Sequence, residues 1–350
     1  MGFVKKFGKY PDSKREAYFQ TLSNYQQKKF QNPIHTPPLA EGENMVKILL
    51  KFFRKHPDTS PEQPIPHVKT DLKNLNPAEN VLIWFGHSSY FIQADGRRFL
   101  IDPVFSGNAS PVPGSVKAFP GADHYKVEDL PEIDVLLISH DHWDHLDYPT
   151  IQQLKNKVGN VICALGVARH FEYWGWEQQK LIEKNWYEHV DLGADFSVTL
   201  TPARHFSGRL FKRNASLWTS FVLKTPTKTL FLGGDSGYSP HFKAVGEQFG
   251  PFDLAVLECG QYNPQWPYIH SFPEDLLIEA AELNARHFMP VHHSKFKLSN
   301  HPWYEPLQRV TTAAAKENRV VTTPKIGEQV NLDQLDKVWG KWWEGFIHSK

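Results

Sequence analysis

The chain has 350 residues, with 39 lysines and arginines against 38 aspartates and glutamates, which leaves a formal charge of +1. Hydrophobic residues make up 40% of the sequence and charged residues 22%, a composition that excludes general disorder and provides for a large core. A net charge this close to zero offers no extended positive surface for a polyanion. We therefore expect no nucleic acid partner.

The cysteine count and the hydropathy pattern bear on the compartment. Two cysteines, Cys163 and Cys259, are too few for the disulfide framework of a small secreted domain. No run of about 18 uncharged apolar residues predicts a membrane span, and the basic start Met1–Tyr10 is not followed by the apolar core of a signal peptide. We expect a cytoplasmic protein that can contact a membrane peripherally, although a chain whose leader had been removed would look the same.

The first 75 residues differ in composition and patterning from the rest of the chain. They are polar and rich in proline and show no strand-like alternation. We predict an N-terminal extension, residues 1–75, that wraps a domain formed by residues 76–350. Within the extension, the spacing of apolar and basic residues predicts a helix over Met45–Lys55. This helix either packs on the domain or lies on a membrane surface.

After residue 76, short β-branched and aromatic runs alternate with helical patterns. Strands are predicted at Val81–Phe85, Tyr90–Gln93, Phe99–Ile101, Val135–Ile138, Val161–Ala164, Phe196–Leu200, Thr229–Leu232, Leu254–Leu257, Phe288–Val291 and Val320–Thr323. Helices are predicted at Tyr148–Lys157, Pro273–Asn284 and Pro306–Glu317. Strands that alternate with helices indicate an α/β layered domain. At the carboxyl end, we expect three tryptophans to dock on this domain or to form a patch for a partner or lipid: Trp339, Trp342 and Trp343.

A cluster of potential metal ligands follows the strand predicted at Val135–Ile138. Residues 140–145 read His-Asp-His-Trp-Asp-His, and histidine and aspartate suit borderline-soft cations. Three further candidates, His205, Asp235 and His292, each lie just beyond a later strand-like run, which is where an α/β sheet presents its binding groups. Together these residues would supply two metal ions with three protein ligands each and one shared carboxylate, and would leave a position for water.

These motifs resemble those of the metallo-β-lactamase-fold hydrolase superfamily. The superfamily resemblance rests on the His-x-His-x-Asp-His loop and the later ligands. Further motifs resemble the branch that contains N-acylphosphatidylethanolamine-hydrolysing phospholipase D: Trp84–Ser88, Leu100–Ser106, Thr201–His205, Gly233–Tyr238 and Phe249–Leu254. The resemblance implies a four-layer αββα sandwich of two mixed sheets with helices outside, preceded here by the N-terminal extension. It also implies that the metals lie at one edge, between the sheets.

Carried over residue by residue, the family pattern implies two sets of metal ligands joined by the carboxylate of Asp235. One metal would be bound by His140, His142 and His205, and the other by Asp144, His145 and His292. The resemblance implies two zinc ions, with manganese or iron as alternatives, and a bridging hydroxide as the nucleophile. Aspartate at the bridging position favours hydrolysis of phosphodiesters, thioesters or lactones.

Residues around the metals carry further expectations. We expect Asp144 and His270 to take part directly in the reaction, with an exposed loop histidine as the alternative for His270. Asp102 would either orient a ligand imidazole from beneath the metals or simply open a turn after its strand. For three residues near the motifs, structural and substrate-facing roles are both open: His87, His293 and Lys295. Two others are expected at the surface: His241 and His301.

Three functions are compatible with these expectations. The first is a dinuclear zinc hydrolase of phosphodiesters, of the N-acylphosphatidylethanolamine phospholipase D type. The second keeps the metals but acts on a soluble lactone, amide or nucleotide. The third is a metal-binding protein without turnover, which the complete set of ligand positions disfavours. The substrate is therefore expected to be a small molecule or a phospholipid.

Overall fold

Two β-sheets packed face to face form the centre of the protein. The computed structural model describes residues 2–44, 48, 58–209 and 212–347. Its strands are β1 (Tyr25–Gln26), β2 (Lys29–Phe30), β3 (Val81–Trp84), β4 (Tyr90–Ala94), β5 (Arg97–Ile101), β6 (Ile133–Ile138), β7 (Val158–Ala164), β8 (Leu181–Lys184), β9 (His189–Gly193), β10 (Phe196–Thr201), β11 (Ser220–Lys224), β12 (Thr229–Leu232), β13 (Phe252–Glu258), β14 (Ala285–Val291) and β15 (Gln329–Asn331).

The helices within these described ranges are short. They are α1 (Gly2–Lys5), α2 (Ser13–Phe19), α3 (Tyr148–Leu154), α4 (Ala168–Tyr173), α5 (His241–Phe249), α6 (Asp275–Glu282) and α7 (Glu305–Lys316). None of the helices in the described part of the chain combines the length and hydropathy needed to span a bilayer. The helix predicted over Met45–Lys55 lies, apart from Ile48, outside the described residues.

Each sheet combines an antiparallel part with a parallel part. The first sheet has the order β15-β3-β4-β5-β6-β7-β8, and the second has the order β14-β13-β12-β11-β10-β9. Strands β5 to β8 run parallel in the first sheet, and β12 to β14 run parallel in the second. Parallel neighbours require crossover connections, which usually contain a helix that packs on a face of the sheet.

Side chains of β11 indicate that the second sheet is covered on both faces. Phe221 and Leu223 belong to the apolar cluster between the two sheets, whereas Val222 belongs to the cluster beneath α5, α6 and α7. Successive strand residues point to opposite faces, so one face of this sheet meets the first sheet and the other meets helices. Helices α3 and α4 pack beside the first sheet through Ile151 and Phe171. The predicted four-layer αββα sandwich is therefore confirmed.

Most predicted strands are present, with ends that differ by up to three residues. The exception is Val320–Thr323, where Val321 forms only an isolated parallel bridge with Phe288. Pro324 follows this segment and has no N–H to continue a ladder. The pattern missed β1, β2, β8, β9, β11 and β15. The side chains of β8 and β9 are largely half-exposed or exposed, so these two strands form no hydrophobic run. Strand β11 was missed although four of its five residues are buried.

The N-terminal extension contacts the domain through an aromatic cluster. Phe19, Tyr25 and Phe30 pack with ring centroids 4.8 to 5.5 Å apart, and Phe30 is fully buried. The backbone N–H of Phe30 donates to the carbonyl of Asn214 at 2.9 Å, which attaches the β1–β2 hairpin to the domain. The division of the chain after residue 75 stays a prediction.

The carboxyl end also docks on the domain. Trp343 is fully buried within the main apolar cluster. The ring of Trp342 stacks on Trp303 with a centroid distance of 6.2 Å and an interplanar angle of 30°. Of the two alternatives for these tryptophans, docking is the one that the contacts support.

Replacing Phe30 by alanine tests how strongly the extension contributes to stability. Removing a fully buried aromatic ring leaves a cavity, so we expect the free energy of unfolding to fall by about 3–5 kcal/mol. The matched control is Tyr18→Ala, because Tyr18 is 46% exposed and its loss should change the free energy by about 0.5 kcal/mol or less. Urea unfolding followed by tryptophan fluorescence measures both. An equal change in the free energy of unfolding in both variants would contradict a hairpin that is docked on the domain.

Candidate metal centre

The loop after β6 brings potential ligands to the edge between the sheets. Strand β6 is almost entirely buried and pairs in parallel with β5 and β7, so its carboxyl end is held from both sides. Beyond it, the backbone N–H groups of His145 and Leu146 both donate to the carbonyl of His142, at 3.2 and 2.9 Å. This tight turn keeps the side chains of the loop close together.

The first donor group consists of His140, His142, His205 and Asp235. Nδ1 of His142 lies 2.8 Å from Nε2 of His140 and 3.2 Å from Nε2 of His205. Oδ2 of Asp235 lies 3.6 Å from Nε2 of His205. The four ligand atoms all lie within 4.8 Å of one another, so one cation could contact them all.

The second donor group consists of His87, Asp144, His145 and His292, whose ligand atoms also lie within 4.8 Å of one another. Nε2 of His145 lies 3.5 Å from Oδ2 of Asp144. Asp235 stands between the groups, because its Oδ1 lies 3.2 Å from Nε2 of His145 and 3.1 Å from Nδ1 of His292. Its Oδ2 faces the first donor group. The structure thus brings all the predicted ligands together and adds His87.

The position of Asp235 depends on the glycines that precede it after β12. A Cβ atom on Gly234 would lie 2.4 Å from the carbonyl oxygen of Thr219, a distance that no real Cβ tolerates. Glycine therefore lets the chain pass close to the start of β11 before Asp235 enters the site. This close approach explains why a glycine pair stands next to the shared carboxylate.

The donor groups have the chemistry of a metal site. Among the described residues, Nε2 of His145 and Oδ1 of Asp235 are buried and make no hydrogen bond. A buried polar atom without a partner costs about 1–3 kcal/mol, and a bound cation would remove that cost. Imidazole nitrogens combined with carboxylate oxygens suit zinc and other borderline divalent metals. The residues present therefore fit a pair of such cations.

The charge states of His140 and His142 favour metal binding. Burial and the neighbouring imidazoles hold the pKa of His140 well below its usual range, and burial lowers the pKa of His142 to about 4. Both rings are therefore neutral at pH 7, as metal ligands must be. His145 differs, because burial opposes its charge but Asp235 and two further carboxylates outweigh burial and raise its pKa. A metal at His145 would displace a proton.

Outer hydrogen bonds determine which nitrogen of a ring faces the centre. Nδ1 of His145 donates to Oδ2 of Asp102 at 2.8 Å, and Nδ1 of His205 donates to the carbonyl of Ile269 at 2.8 Å. In both rings Nε2 is left for a metal. Asp102 also accepts a hydrogen bond from the backbone N–H of Ser139 at 2.8 Å. Of the two roles considered for Asp102, orientation of a ligand imidazole is the one that these contacts support.

His87, whose role the sequence left open, connects the two sheets at the site. Its Nε2 lies 2.8 Å from Oδ2 of Asp144, and its ring centroid lies 4.0 Å from that of His292. Its backbone N–H donates to the carbonyl of His293 at 2.9 Å, and the N–H of His292 donates to the carbonyl of His87 at 3.0 Å. Its φ of 54° is left-handed, a strained conformation that surrounding contacts must hold in place.

His293 and Lys295 lie outside both donor groups. Nδ1 of His293 lies 2.8 Å from the hydroxyl oxygen of Ser294. The buried ammonium of Lys295 donates to the carbonyls of Val104 and Phe85 at 2.8 and 3.2 Å. These contacts, within its own loop for His293 and with the segments that follow β3 and β5 for Lys295, favour a structural role for both residues.

A cavity of about 190 Å³ opens beside the donor groups and is lined in part by His270. The ring centroid of His270 lies 5.1 Å from that of His205 and 5.2 Å from that of His292. Its Nδ1 lies 2.9 Å from Oε2 of Glu258. Burial raises the pKa of Glu258 to about 8. Burial opposes the charge of His270, but Glu258 outweighs it and raises the pKa of this imidazole. The pair therefore keeps a proton at pH 7.

Glu258 contacts this cavity through His270, and the sequence analysis did not identify it as a catalytic or positioning residue. It ends strand β13, where it follows the apolar run Leu254–Leu257, and a carboxylate at the carboxyl end of a buried strand is a usable signal. The partner His270 lies 12 positions later in the chain, so no local motif joins the two residues.

The expectation of a surface position is wrong for His241. This residue begins α5 and is only 7% exposed, because its ring packs on Phe242 with centroids 4.1 Å apart and its Nδ1 lies 2.5 Å from the hydroxyl oxygen of Ser239. His301 is half-buried, and its Nε2 accepts from the backbone N–H of Gln261 at 2.9 Å. Neither histidine belongs to a donor group.

Comparison with known proteins identifies the family. The beta-lactamase superfamily domain matches residues 97–293. An uncharacterized protein of Mycobacterium tuberculosis is 35% identical over 297 residues, which cover 83% of this chain and 79% of that protein. The N-acyl-phosphatidylethanolamine-hydrolyzing phospholipase D 1 of Caenorhabditis elegans is 28% identical over 297 residues, which cover 76% and 80%. The solved structure of Igni18, a metallo hydrolase from Ignicoccus hospitalis, aligns with a TM-score of 0.54 and 21% identity, covering 72% and 98%.

Fold and donor groups together define a metal-dependent hydrolase. The chain belongs to the beta-lactamase superfamily. The matched range contains every metal ligand predicted from the sequence, whereas His87 precedes it. The resemblance recognised in the motifs is therefore confirmed at the level of the superfamily.

Acid should destabilise the metal-free protein through His241. Burial lowers the pKa of His241 to about 3, whereas a histidine in an unfolded chain titrates near ~6.5. Between these values the unfolded chain binds one more proton, so stability falls as pH falls, by up to about 1.4 kcal/mol per pH unit from this group. We expect His241→Gln to reduce that slope in urea unfolding between pH 6.5 and pH 4.5.

The control for this measurement is His189→Gln, because His189 is exposed and its replacement should leave the slope unchanged. A slope that His241→Gln also leaves unchanged would contradict a buried, neutral His241.

Proposed function

We propose that the protein is a dinuclear zinc-dependent phosphodiesterase that hydrolyses N-acylphosphatidylethanolamine or a related glycerophospholipid. The observation that carries the proposal is the carboxylate of Asp235, which lies between the two donor groups within 3.6 Å of imidazole nitrogens from both. A relative from Caenorhabditis elegans is named for this reaction. A second, from Saccharomyces cerevisiae, has the same name with the word mitochondrial added and is 32% identical over 244 residues, although the chain covers only 51% of it.

Each donor group would hold one of the two ions. The first ion would be held by His140, His142 and His205, the second by Asp144, His145 and His292, and Asp235 would be shared. His87 is a further ligand or a group that orients Asp144. Bound divalent cations would lower the pKa of a bound water toward neutrality and polarise a phosphoryl oxygen. Zinc fits this nitrogen-rich set, and manganese or iron are the alternatives that metal analysis must separate.

His270 supplies the proton that the leaving group needs. Hydrolysis adds water to phosphorus and breaks the bond between phosphorus and the ethanolamine oxygen, which gives phosphatidic acid and an N-acylethanolamine. The departing oxygen must take up a proton, and His270 lines the cavity with a pKa that Glu258 raises. Because Nδ1 contacts Glu258, Nε2 is the nitrogen that can donate to the departing oxygen.

A soluble substrate is the second candidate. The cavity beside the donor groups measures about 190 Å³, which is below the ~300–1,000 Å³ of ligand pockets that enclose a whole small molecule. This size suits a phosphodiester headgroup with its chains outside, but it equally suits a small lactone, amide or nucleotide fragment. Substrate assays therefore have to include both classes.

Peripheral contact with a membrane would accompany the lipid reaction in a cytoplasmic enzyme. The sequence of Met45–Lys55 combines large apolar residues with four cationic ones, at positions 47, 51, 54 and 55. Such a composition favours binding to the surface of an anionic bilayer.

The first test is the release of phosphatidic acid from vesicles containing N-acylphosphatidylethanolamine, detected by mass spectrometry. We expect release by zinc-loaded wild-type protein and none above background by His142→Ala, because this change removes a ligand from the first donor group. His189→Ala is the matched control, since it removes an exposed histidine and should retain the activity. Protein that holds two zinc ions by elemental analysis but releases no phosphatidic acid would contradict the lipid assignment and direct the search to soluble esters, lactones and phosphodiesters.

The proposed proton donor gives a second test, made with whichever substrate is turned over. We expect His270→Gln to lower kcat by about 10²- to 10⁴-fold, the usual contribution of general acid catalysis, with zinc content unchanged. Glu258→Gln should lower kcat less. It should also move the alkaline limb of the kcat profile to lower pH, because Glu258 raises the pKa of His270. Unchanged kcat in zinc-loaded His270→Gln would exclude this role.

A further inference from the structure

One arginine holds both ends of the ligand-bearing segment after β6. Nη1 of Arg209 donates to the carbonyl of Asp141 at 2.9 Å and to the carbonyl of Leu146 at 2.7 Å. These two carbonyls flank residues 142–145, which carry three of the predicted metal ligands. Arg209 is only 2% exposed. Because a single nitrogen donates to both carbonyls, it fixes the distance between the ends of the segment.

The arginine also binds the middle of the same segment. Its guanidinium carbon lies 3.8 Å from the ring centroid of Trp143, a favourable cation–π distance. In return, Nε1 of Trp143 donates to the backbone carbonyl of Arg209 at 3.1 Å. Side chain and backbone of Arg209 therefore contact the segment at its start, its centre and its end.

The carboxylate of Asp141 makes a second set of contacts that hold the segment. Asp141 lies between the predicted ligands His140 and His142 in the sequence. It accepts hydrogen bonds from the backbone N–H of Gly208 at 2.7 Å, the hydroxyl of Ser216 at 2.8 Å and Nε2 of His170 at 3.2 Å. Asp141 is buried and belongs to neither donor group. Its charge therefore serves to hold the backbone between the ligands.

The amino-terminal part of the extension completes this arrangement. The second terminal nitrogen of the arginine donates to the carbonyl of Lys6 at 3.0 Å. The backbone N–H of Lys9 donates to Nδ1 of His170 at 3.1 Å, the ring whose other nitrogen contacts the buried aspartate. The ring of Phe7 meets the tryptophan of the segment edge-on, with centroids 5.4 Å apart. Residues far away in the sequence thus contact the same short segment.

We propose that Arg209 and residues 6–9 are positioning elements of the metal centre, and that they set its metal affinity by holding residues 142–145 in the ligating shape before an ion arrives. The inference rests on the proposed dinuclear centre. Ligands that are ordered in advance lose less conformational entropy on binding, so loosening the segment should weaken metal binding. Arg209 acts through backbone carbonyls and is no ligand itself.

The test measures zinc dissociation constants by chelator competition on the full chain. We expect Arg209→Gln to weaken zinc binding by about 10- to 100-fold, the usual cost of losing an outer partner of a metal site. Arg209→Lys should recover part of the affinity, because an ammonium can still reach a carbonyl. Phe7→Ala, which leaves Arg209 in place, should weaken zinc binding less. The absorption spectrum of the cobalt-substituted protein should shift in Arg209→Gln, which a loss of global stability alone would not cause.

Arg319→Gln is the matched control. The guanidinium of Arg319 likewise donates to two backbone carbonyls, those of Leu277 at 3.1 Å and Ala285 at 3.4 Å, at the end of β14 opposite to His292. Its loss should lower unfolding stability and leave zinc affinity and the cobalt spectrum unchanged. Wild-type affinity and spectrum in Arg209→Gln would overturn the inference, and if that variant does not fold, wild-type affinity in Phe7→Ala would do so. A wild-type chain that binds no zinc would instead overturn the dinuclear centre itself.

Discussion

The buried carboxylate of Asp235 is the interaction on which the site depends. A carboxylate taken out of water costs several kcal/mol unless nearby groups compensate for it, and here its two oxygens lie 3.1 to 3.6 Å from nitrogens of His145, His205 and His292. His145 comes from a loop of the first sheet, and the other two come from the second. Both sheets must contribute histidines to compensate this buried charge. The site therefore forms only when the two sheets have packed together.

Much of the fold follows from the local pattern, because the central strands are buried on both faces and read as continuous apolar runs. Strands β6 and β12 are examples, with nearly every residue buried. Strands β8 and β9 carry mixed, accessible side chains, and their pairing is decided by neighbouring strands. The polar, proline-rich sequence predicted an extension that wraps the domain, but it did not predict which residues make the contact, since Phe19, Tyr25 and Phe30 follow no helical or strand period.

The residues of the site also differ in how well the sequence predicts them. The predicted ligands at 140–145 lie in one short motif, and the later candidates lie at strand ends. Sequence and family resemblance therefore suffice to select residues that the structure brings together. The residues that contact the candidate ligands and His270 from elsewhere in the chain were harder to predict, because each contacting pair is brought together only by the fold. Glu258 meets His270 across a loop, and Arg209 reaches Asp141 from 68 positions away. A hydrogen bond to a backbone carbonyl leaves no trace in residue identity, which is why the sequence analysis did not single out Arg209.

The paired backbone hydrogen bonds between His87 and the residues that follow β14 affect how the protein unfolds. Strand β14 lies at the edge of the second sheet, a position from which strands usually fray first. Just beyond its carboxyl end, the backbone of residues 292 and 293 exchanges hydrogen bonds with His87, three residues beyond β3 of the first sheet, so the strand cannot separate without breaking contact between the sheets. We therefore expect His292 to leave the centre only when the two sheets separate, so that loss of the site coincides with global unfolding.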